Sequence, residues 1–563
     1  MALFSKTGLL FTLLLFFVTT VPGQTNYYIS ASGNNANSGQ LATPWQTIQY
    51  GIGRAAANDT LNILAGTYNE KLNVGKSNIC IRNYNASLPL LSGTGITAQV
   101  AMIQVSGRSN VVIDGLEIAN NIQNDAQGIL VDGICQNITI KNCVIHDIHF
   151  SSNPNATVSS SKNAQGIIVY GTDATTPISN LKINANKLYN CRLGYSEGIA
   201  VNGNVDGFEI TGNEVHDITN IGIDAIGHEG TCANAANDQA RNGSIRNNKV
   251  YNCLSAYATS GGLYVDGGKN IVIENNSSYH NGYGIEVGCE NTGKTTDNIT
   301  VRNNIFYDNE ICGIALGGYD YPSGSGKVTN CAVRNNTCYK NNYKNDGNGE
   351  LYLTYSENSI IENNIFYISS QNTLGYAELG QPALNFNYNL FFNNGSAADI
   401  DADWNGTYYS SLTSFKSGTG TNSQSPFGSP QFINAAILNP DFHIAVASTA
   451  KEAGNPAFVA ALTERDMDNE LRVNGIVDCG ADEYYSAAII YTFIGNGSWN
   501  IPSNWVNNTI PPTVLTGNAK IIIDPQTNGE CILDTEQHLG SNAQLIVAEN
   551  KRFKIVGLLK VNN

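Results

Sequence analysis

Three acids recur on one short repeated segment: Asp224 in Gly222-Ile223-Asp224-Ala225-Ile226, Asp266 in Gly262-Leu263-Tyr264-Val265-Asp266, and Glu286 in Gly284-Ile285-Glu286-Val287-Gly288. Apolar residues alternate with them, so if each segment is a strand, the acids and Tyr264 face solvent. With about 4.8 Å between strands and about 3.3 Å per residue, Asp266 falls roughly 8 Å from either Asp224 or Glu286. Glycosidic hydrolysis uses two carboxyls about 5 to 9.5 Å apart, so both the retaining and the inverting geometry are open. One carboxyl must stay protonated and the other ionised, and crowding three acids together favours that split. The following turns supply His228 and Glu229, then Glu290 and Asn291, then Tyr319, Asp320 and Tyr321. The predicted catalytic residues are therefore Asp224, Asp266 and Glu286. His228, Glu229, Tyr264, Glu290, Tyr319, Asp320 and Tyr352 are predicted to bind substrate, the tyrosines as flat faces for sugar rings and the acids as acceptors of hydroxyl protons.

Such acids become neighbours only if the chain coils and stacks. Tracts such as Ile183-Asn184-Ala185-Asn186, Ile210-Thr211-Gly212-Asn213, Ile245-Arg246-Asn247-Asn248, Val301-Arg302-Asn303-Asn304 and Ile361-Glu362-Asn363-Asn364 share one pattern. A repeat of 20 to 50 residues signals a solenoid, and short apolar strands within it point to a parallel β-helix. The closing asparagines (Asn186, Asn213, Asn248, Asn276, Asn304, Asn336, Asn364, Asn389) predict a stacked amide ladder. Three residues on, His146, Tyr189, His216, Tyr251, Tyr279, Tyr307, Tyr339, Tyr367 and Phe392 predict a ring stack, which assigns His146 and His216 to structure. The fold class is all-β: a right-handed parallel β-helix over residues 24–486 with a small accessory β domain over 487–563.

Composition agrees. Only 13% of residues are charged and Gly numbers 56, which disfavours helical surfaces. The formal charge of −16 disfavours nucleic acid or anionic lipid as partner. Residues 1–23 carry Lys6, the apolar run Leu9 to Val18 and the small-residue site Val21-Pro22-Gly23, a predicted secretory signal, so the protein is expected to be secreted. No later run is long enough to span a bilayer. The 12 cysteines are scattered without CxxC spacing and are expected in the core, and no His/Cys set has zinc spacing. Trp499 and Trp505 in the tail are read as core residues of the accessory domain, although such rings can also stack on sugars.

The opening Tyr27-Tyr28-Ile29-Ser30, Pro44-Trp45-Gln46-Thr47-Ile48 and Ala65-Gly66-Thr67-Tyr68, with the late Asp478-Cys479-Gly480-Ala481-Asp482-Glu483, resembles secreted right-handed parallel β-helix proteins of the pectate-lyase-like superfamily. That resemblance covers about residues 27 to 485 and implies the fold. The superfamily includes hydrolases, lyases, esterases, epimerases and non-catalytic proteins, so the resemblance does not select a chemistry. Locally, the segments around Asp266 and Glu286 are similar to the acid pair of β-helical glycoside hydrolases such as the family 120 xylosidases, and Asp266 also resembles an acid of family 141. That similarity implies Asp266 as nucleophile or base and Glu286 as acid.

The expected function is hydrolysis of a polysaccharide or oligosaccharide by a monomer that requires no cofactor. The alternative is a Ca²⁺-dependent lyase acting on a uronate polymer, with clustered acids holding the cation. None of the outward strand positions carries Lys or Arg, however, and Arg241, Lys269 and Lys294 lie in turns. A third reading is a non-catalytic glycan-binding surface protein.

Overall fold

The computed structural model describes residues 24–561 apart from 437, 439, 487–488, 516–518 and 541–542. The signal segment 1–23 lies outside the described residues. The chain divides into two compact units, one of residues 24–271 with 289–296 and one of residues 272–288 with 297–561. No helix among the described residues is long and apolar enough to cross a membrane.

In the first unit nearly every repeat supplies one strand to each of three parallel sheets. One sheet runs through Ala126–Asp132, Ala164–Gly171, Glu197–Gly203, Ile221–Ile226 and Gly261–Asp266. Its register aligns Ile129, Ile167, Ile199, Ile223 and Leu263 in one column and Val131, Val169, Val201, Ala225 and Val265 in another. Both columns are buried. Between them stand Leu130, Ile168, Ala200, Asp224 and Tyr264. Leu130, Ile168, Ala200 and Ile226 form an apolar cluster of their own.

The glycine that opens each of these strands does more than start it. A Cβ on Gly166 would lie 1.9 Å from Leu188 Cδ1, and one on Gly198 would lie 2.9 Å from Ile218 Cδ1. These glycines therefore face the core, as do the isoleucines that follow them, so alternation slips by one residue. The residues just before the glycines, Gln127, Gln165 and Glu197, consequently share a side with the outward column. Two of their pairings are direct: Gln127 with Gln165, and Glu197 with Ile221.

The asparagine ladder forms at the bend. Asn213 Nδ2 donates to Ile183 O at 2.9 Å and to Asn248 Oδ1 at 3.0 Å, while its Oδ1 accepts from the backbone and side-chain nitrogens of Asn186, both at 3.0 Å. Each amide thus satisfies backbone groups that the turn leaves without sheet partners. The rings His146, Tyr189, His216 and Tyr251 stack at centroid spacings of 4.9, 5.4 and 4.7 Å. His146 is clasped by Asp147 and Glu117, and His216 by Asp217, so both histidines serve the stack.

The second unit repeats the plan with shorter strands. One of its sheets orders Tyr283–Gly288, Cys312–Leu316, Leu351–Leu353, Thr373–Ala377 and Asp401–Trp404, and Thr407–Tyr409 closes it antiparallel. Its ladder joins Asn276, Asn304, Asn336, Asn364 and Asn389. The expected ring stack breaks here. Tyr279 and Tyr307 remain stacked at 4.5 Å, but Tyr339 and Tyr367 tilt by 60° because Phe432 and Phe442 wedge against them. The late signature is structural: Arg472 is fully buried, bonds Glu483 Oε2 at 2.9 Å and donates to the carbonyls of Asp478, Gly480, Ala481 and Asp482.

From Ile489 onward, three three-stranded parallel sheets make a second, short β-helical stack. Trp499 and Trp505 are 1% and 2% exposed and lie edge to face at 4.7 Å within its core. They are held by packing and are not open to sugar. Eleven of the twelve cysteines are buried thiols, which fits small core residues.

Candidate functional site

The outward face of the first unit opens into a cleft of about 290 Å³. Asp224, on the central strand, is 2% exposed, and its Oδ1 has no hydrogen-bond partner. Burial, then the charges of Glu197, Asp266 and Glu290, hold its carboxyl well above the usual range, which favours its protonated form. Glu197 enters from the preceding strand. Burial raises it to about 8, with Glu290 and Glu229 adding to the effect.

The opposite wall is built from the strand Gly261–Asp266 and the turn that carries Glu290. Asp266 is 4% exposed, and its Oδ1 accepts the backbone N–H of Glu290 at 2.7 Å, a bond that favours the ionised form. Tyr264 Oη donates to Glu290 Oε1 at 3.3 Å. Burial and the charge of Glu229 raise Glu290, and the Tyr264 bond opposes them. One carboxylate oxygen each from Glu229, Asp266 and Glu290 lie within 4.8 Å of one another. Such a group of oxygens fits a hard divalent cation, for which these three residues would be the ligands. Gln165 lines the end wall, bonded to Ser196 Oγ at 3.2 Å and Tyr170 Oη at 3.4 Å, with its Oε1 buried and unpartnered. Five acids and no Lys, Arg or His line the cleft among the described residues.

The structure gathers Asp224, Asp266, Tyr264, Glu229 and Glu290 from the expected set. It corrects their setting. Asp224, Asp266 and Tyr264 were expected on an open ridge and instead lie at the base of the cleft, because flanking turns and the Glu197 strand wall them in. His228 turns away: its Nε2 lies 3.3 Å from Thr295 O and 3.3 Å from Gln239 Nε2, which makes it a brace between turns. Glu286 lies with Tyr283 on the strand Tyr283–Gly288 of the second unit, pairs in register with Ala315, and is not among the residues lining the cleft. Tyr319, Asp320 and Tyr352 are in the second unit as well. Tyr319 is 64% exposed, Asp320 caps a turn by accepting Gly324 N–H, and Tyr352 Oη donates to Glu378 Oε1 at 2.6 Å.

Glu197 and Gln165 are the functional candidates that sequence reading passed over. Counting back by two from Ile199 places Glu197 inside the coil. The repeated Gly before each isoleucine was the available signal, since a core-facing glycine shifts the phase and turns Glu197 outward.

Comparison with known proteins bears on the family. A profile for the right handed beta helix region matches residues 234–415. The chain is 33% identical over 441 residues to the uncharacterized protein YwoF of Bacillus subtilis (strain 168), covering 74% of this chain and 91% of YwoF. The chain belongs to the YwoF family. Its fold is a parallel β-helix, and the matched segment is of the right-handed kind. Solved structures similar to this YwoF relative include XylC in complex with xylose, at TM-score 0.45 and 12% identity, covering 68% of this chain and 86% of that one. Pectate lyase Pel9A aligns at TM-score 0.41 and 14% identity, over 82% and 96% of the two chains. The A-module of the mannuronan C-5 epimerase AlgE6 of Azotobacter vinelandii aligns at TM-score 0.45 and 15% identity, over 68% and 94%.

Proposed function

We propose that this protein is a secreted enzyme that hydrolyses glycosidic bonds of a polysaccharide or oligosaccharide in the acid-lined cleft of its first unit. The observation that carries the reading is the contrast between Asp224, buried with Oδ1 unpartnered, and Asp266, whose Oδ1 takes a backbone N–H. Asp224 is the proton donor to the glycosidic oxygen. Asp266 is the ionised partner, acting as base on water or as nucleophile at the anomeric carbon. Asp266 and Glu290 favour the proton on Asp224 by their negative potential, and Tyr264 and Gln165 orient the sugar.

Lysis is the second reading, because Glu229, Asp266 and Glu290 can hold Ca²⁺ and a bound cation would neutralise a uronate carboxylate. Among the described residues the cleft's lining offers no Lys, Arg or His to abstract the proton, which favours hydrolysis. The test is incubation of the protein with neutral and uronate polysaccharides. New reducing ends without absorbance near 235 nm support hydrolysis, the same ends with that absorbance support elimination, and retention without product supports a binding protein. Asp224→Asn and Asp266→Asn are each expected to lower turnover by about 10² or more with the fold intact. Native rates in both variants overturn the assignment.

A further inference from the structure

A second cavity, of about 360 Å³, lies wholly within the second unit between Thr373–Ala377, Asp401–Trp404 and the antiparallel strand Thr407–Tyr409. The strand pairing explains its shape. Thr373 pairs with Asp401 and Tyr376 with Asp403, but a register shift falls between the two pairs. A bulge of this kind re-aims side chains and ends regular stacking. Tyr376, Asp401, Asp403 and Tyr408 all line the hollow, with Asp346 on a neighbouring loop.

Its chemistry is mixed in a particular way. Tyr408 is 65% exposed, though a solvent-facing tyrosine with no partner surface gives up apolar area to water. Its Oη donates to Asp401 Oδ2 at 3.3 Å, which links the ring to the wall of the hollow. Tyr376 stacks on Tyr352 at 5.9 Å and 18°, so it too is held in place. Asp403 lines the hollow, and its Oδ1 is buried without a hydrogen-bond partner. Asp346 is occupied at both oxygens by Asn348, at 3.2 and 3.1 Å, and its burial raises its carboxyl.

We infer that this hollow is a second glycan-binding site, for a neutral sugar segment, separate from the acid cleft. The two tyrosine rings present apolar faces to pyranose C–H groups, and the carboxylates of Asp401 and Asp403 accept hydroxyl protons. Among the described residues the lining holds three aspartates and no Lys, Arg or His, which disfavours uronates by like-charge repulsion. The site stands whether or not the first unit hydrolyses anything.

The test is affinity electrophoresis of the full chain, with EDTA present, in gels holding xylan, arabinan, mannan or mixed-linkage glucan, and in parallel pectate or alginate. At least one neutral polymer is expected to retard the protein. Tyr408→Ala and Tyr376→Ala should each weaken that retardation about tenfold, whereas Tyr408→Phe keeps the ring and most of the affinity. Val459→Ala, at an exposed position outside both linings, should be retarded like the native chain. Tyr408 is exposed, so loss of binding in its variant does not come from unfolding. The inference is overturned if no neutral polymer retards the native chain, if the alanine variants run like it, if only pectate or alginate retards it, or if retention appears only when Ca²⁺ replaces EDTA.

Discussion

Replacing Glu197 with Gln tests the electrostatics of the cleft without reference to any substrate. Burial, with Glu290 and Glu229 nearby, raises the Glu197 carboxyl from 4.5 to about 8. Below pH 4.5 both folded and unfolded chains keep this proton, so it has no effect on stability. Between 4.5 and 8 the unfolded chain ionises while the folded one does not, and stability falls by about 1.36 kcal/mol per pH unit. Across that window the loss reaches about 5 kcal/mol for a wholly buried group, and roughly half of that here, because Glu197 keeps partial exposure and water returns some of the solvation. Gln titrates nowhere in this range. Glu197→Gln should therefore match the native protein near pH 4 and exceed it by about 2–3 kcal/mol at pH 8, a few degrees in midpoint temperature. Thermal and urea unfolding at pH 4, 6 and 8 measure the difference. A gap that does not change with pH, or a variant less stable at pH 8, would refute the claim that this carboxyl is held protonated in a crowded acid site.

Other outcomes follow from the same geometry. The hydrolytic rate should fall on the alkaline side as the acids lose their protons, Glu197 near pH 8, and a pH–rate profile of the native chain against Glu197→Gln reads this directly. Chelation separates the two enzymatic readings: hydrolysis should keep its rate within about twofold in EDTA, whereas lysis dependent on Glu229, Asp266 and Glu290 should stop and return with added Ca²⁺. Asn213→Leu strips buried donors and acceptors from Asn186, Asn248 and Ile183, and should cost about 3–5 kcal/mol in urea unfolding.

The repeating tracts made the solenoid legible because coil stacking is a local, periodic problem. Each rung needs the same apolar spacing, the same bend amide and the same turn, so the pattern is written into every repeat. The site was legible only in part. Asp224, Asp266, Glu229 and Glu290 were found because they sit on or just past the strands that the repeat identifies. Glu197 was missed because a core-facing glycine reverses the side on which strict alternation places it. Glu286 fitted the pattern as well as Asp266 did, yet a matching position in a repeat says nothing about which turns overhang it.

Sequence alone determined that rungs stack, which residues fill them and that several acids sit on or just past one repeated strand. Tertiary structure decided which acids line one cleft, and with that which carboxyl is pushed towards its protonated form. The physical reason is that burial and charge crowding depend on what lies across a gap of a few ångströms. Those neighbours come from turns of irregular length, such as the one that brings Glu290 to Asp266, and no repeat encodes them.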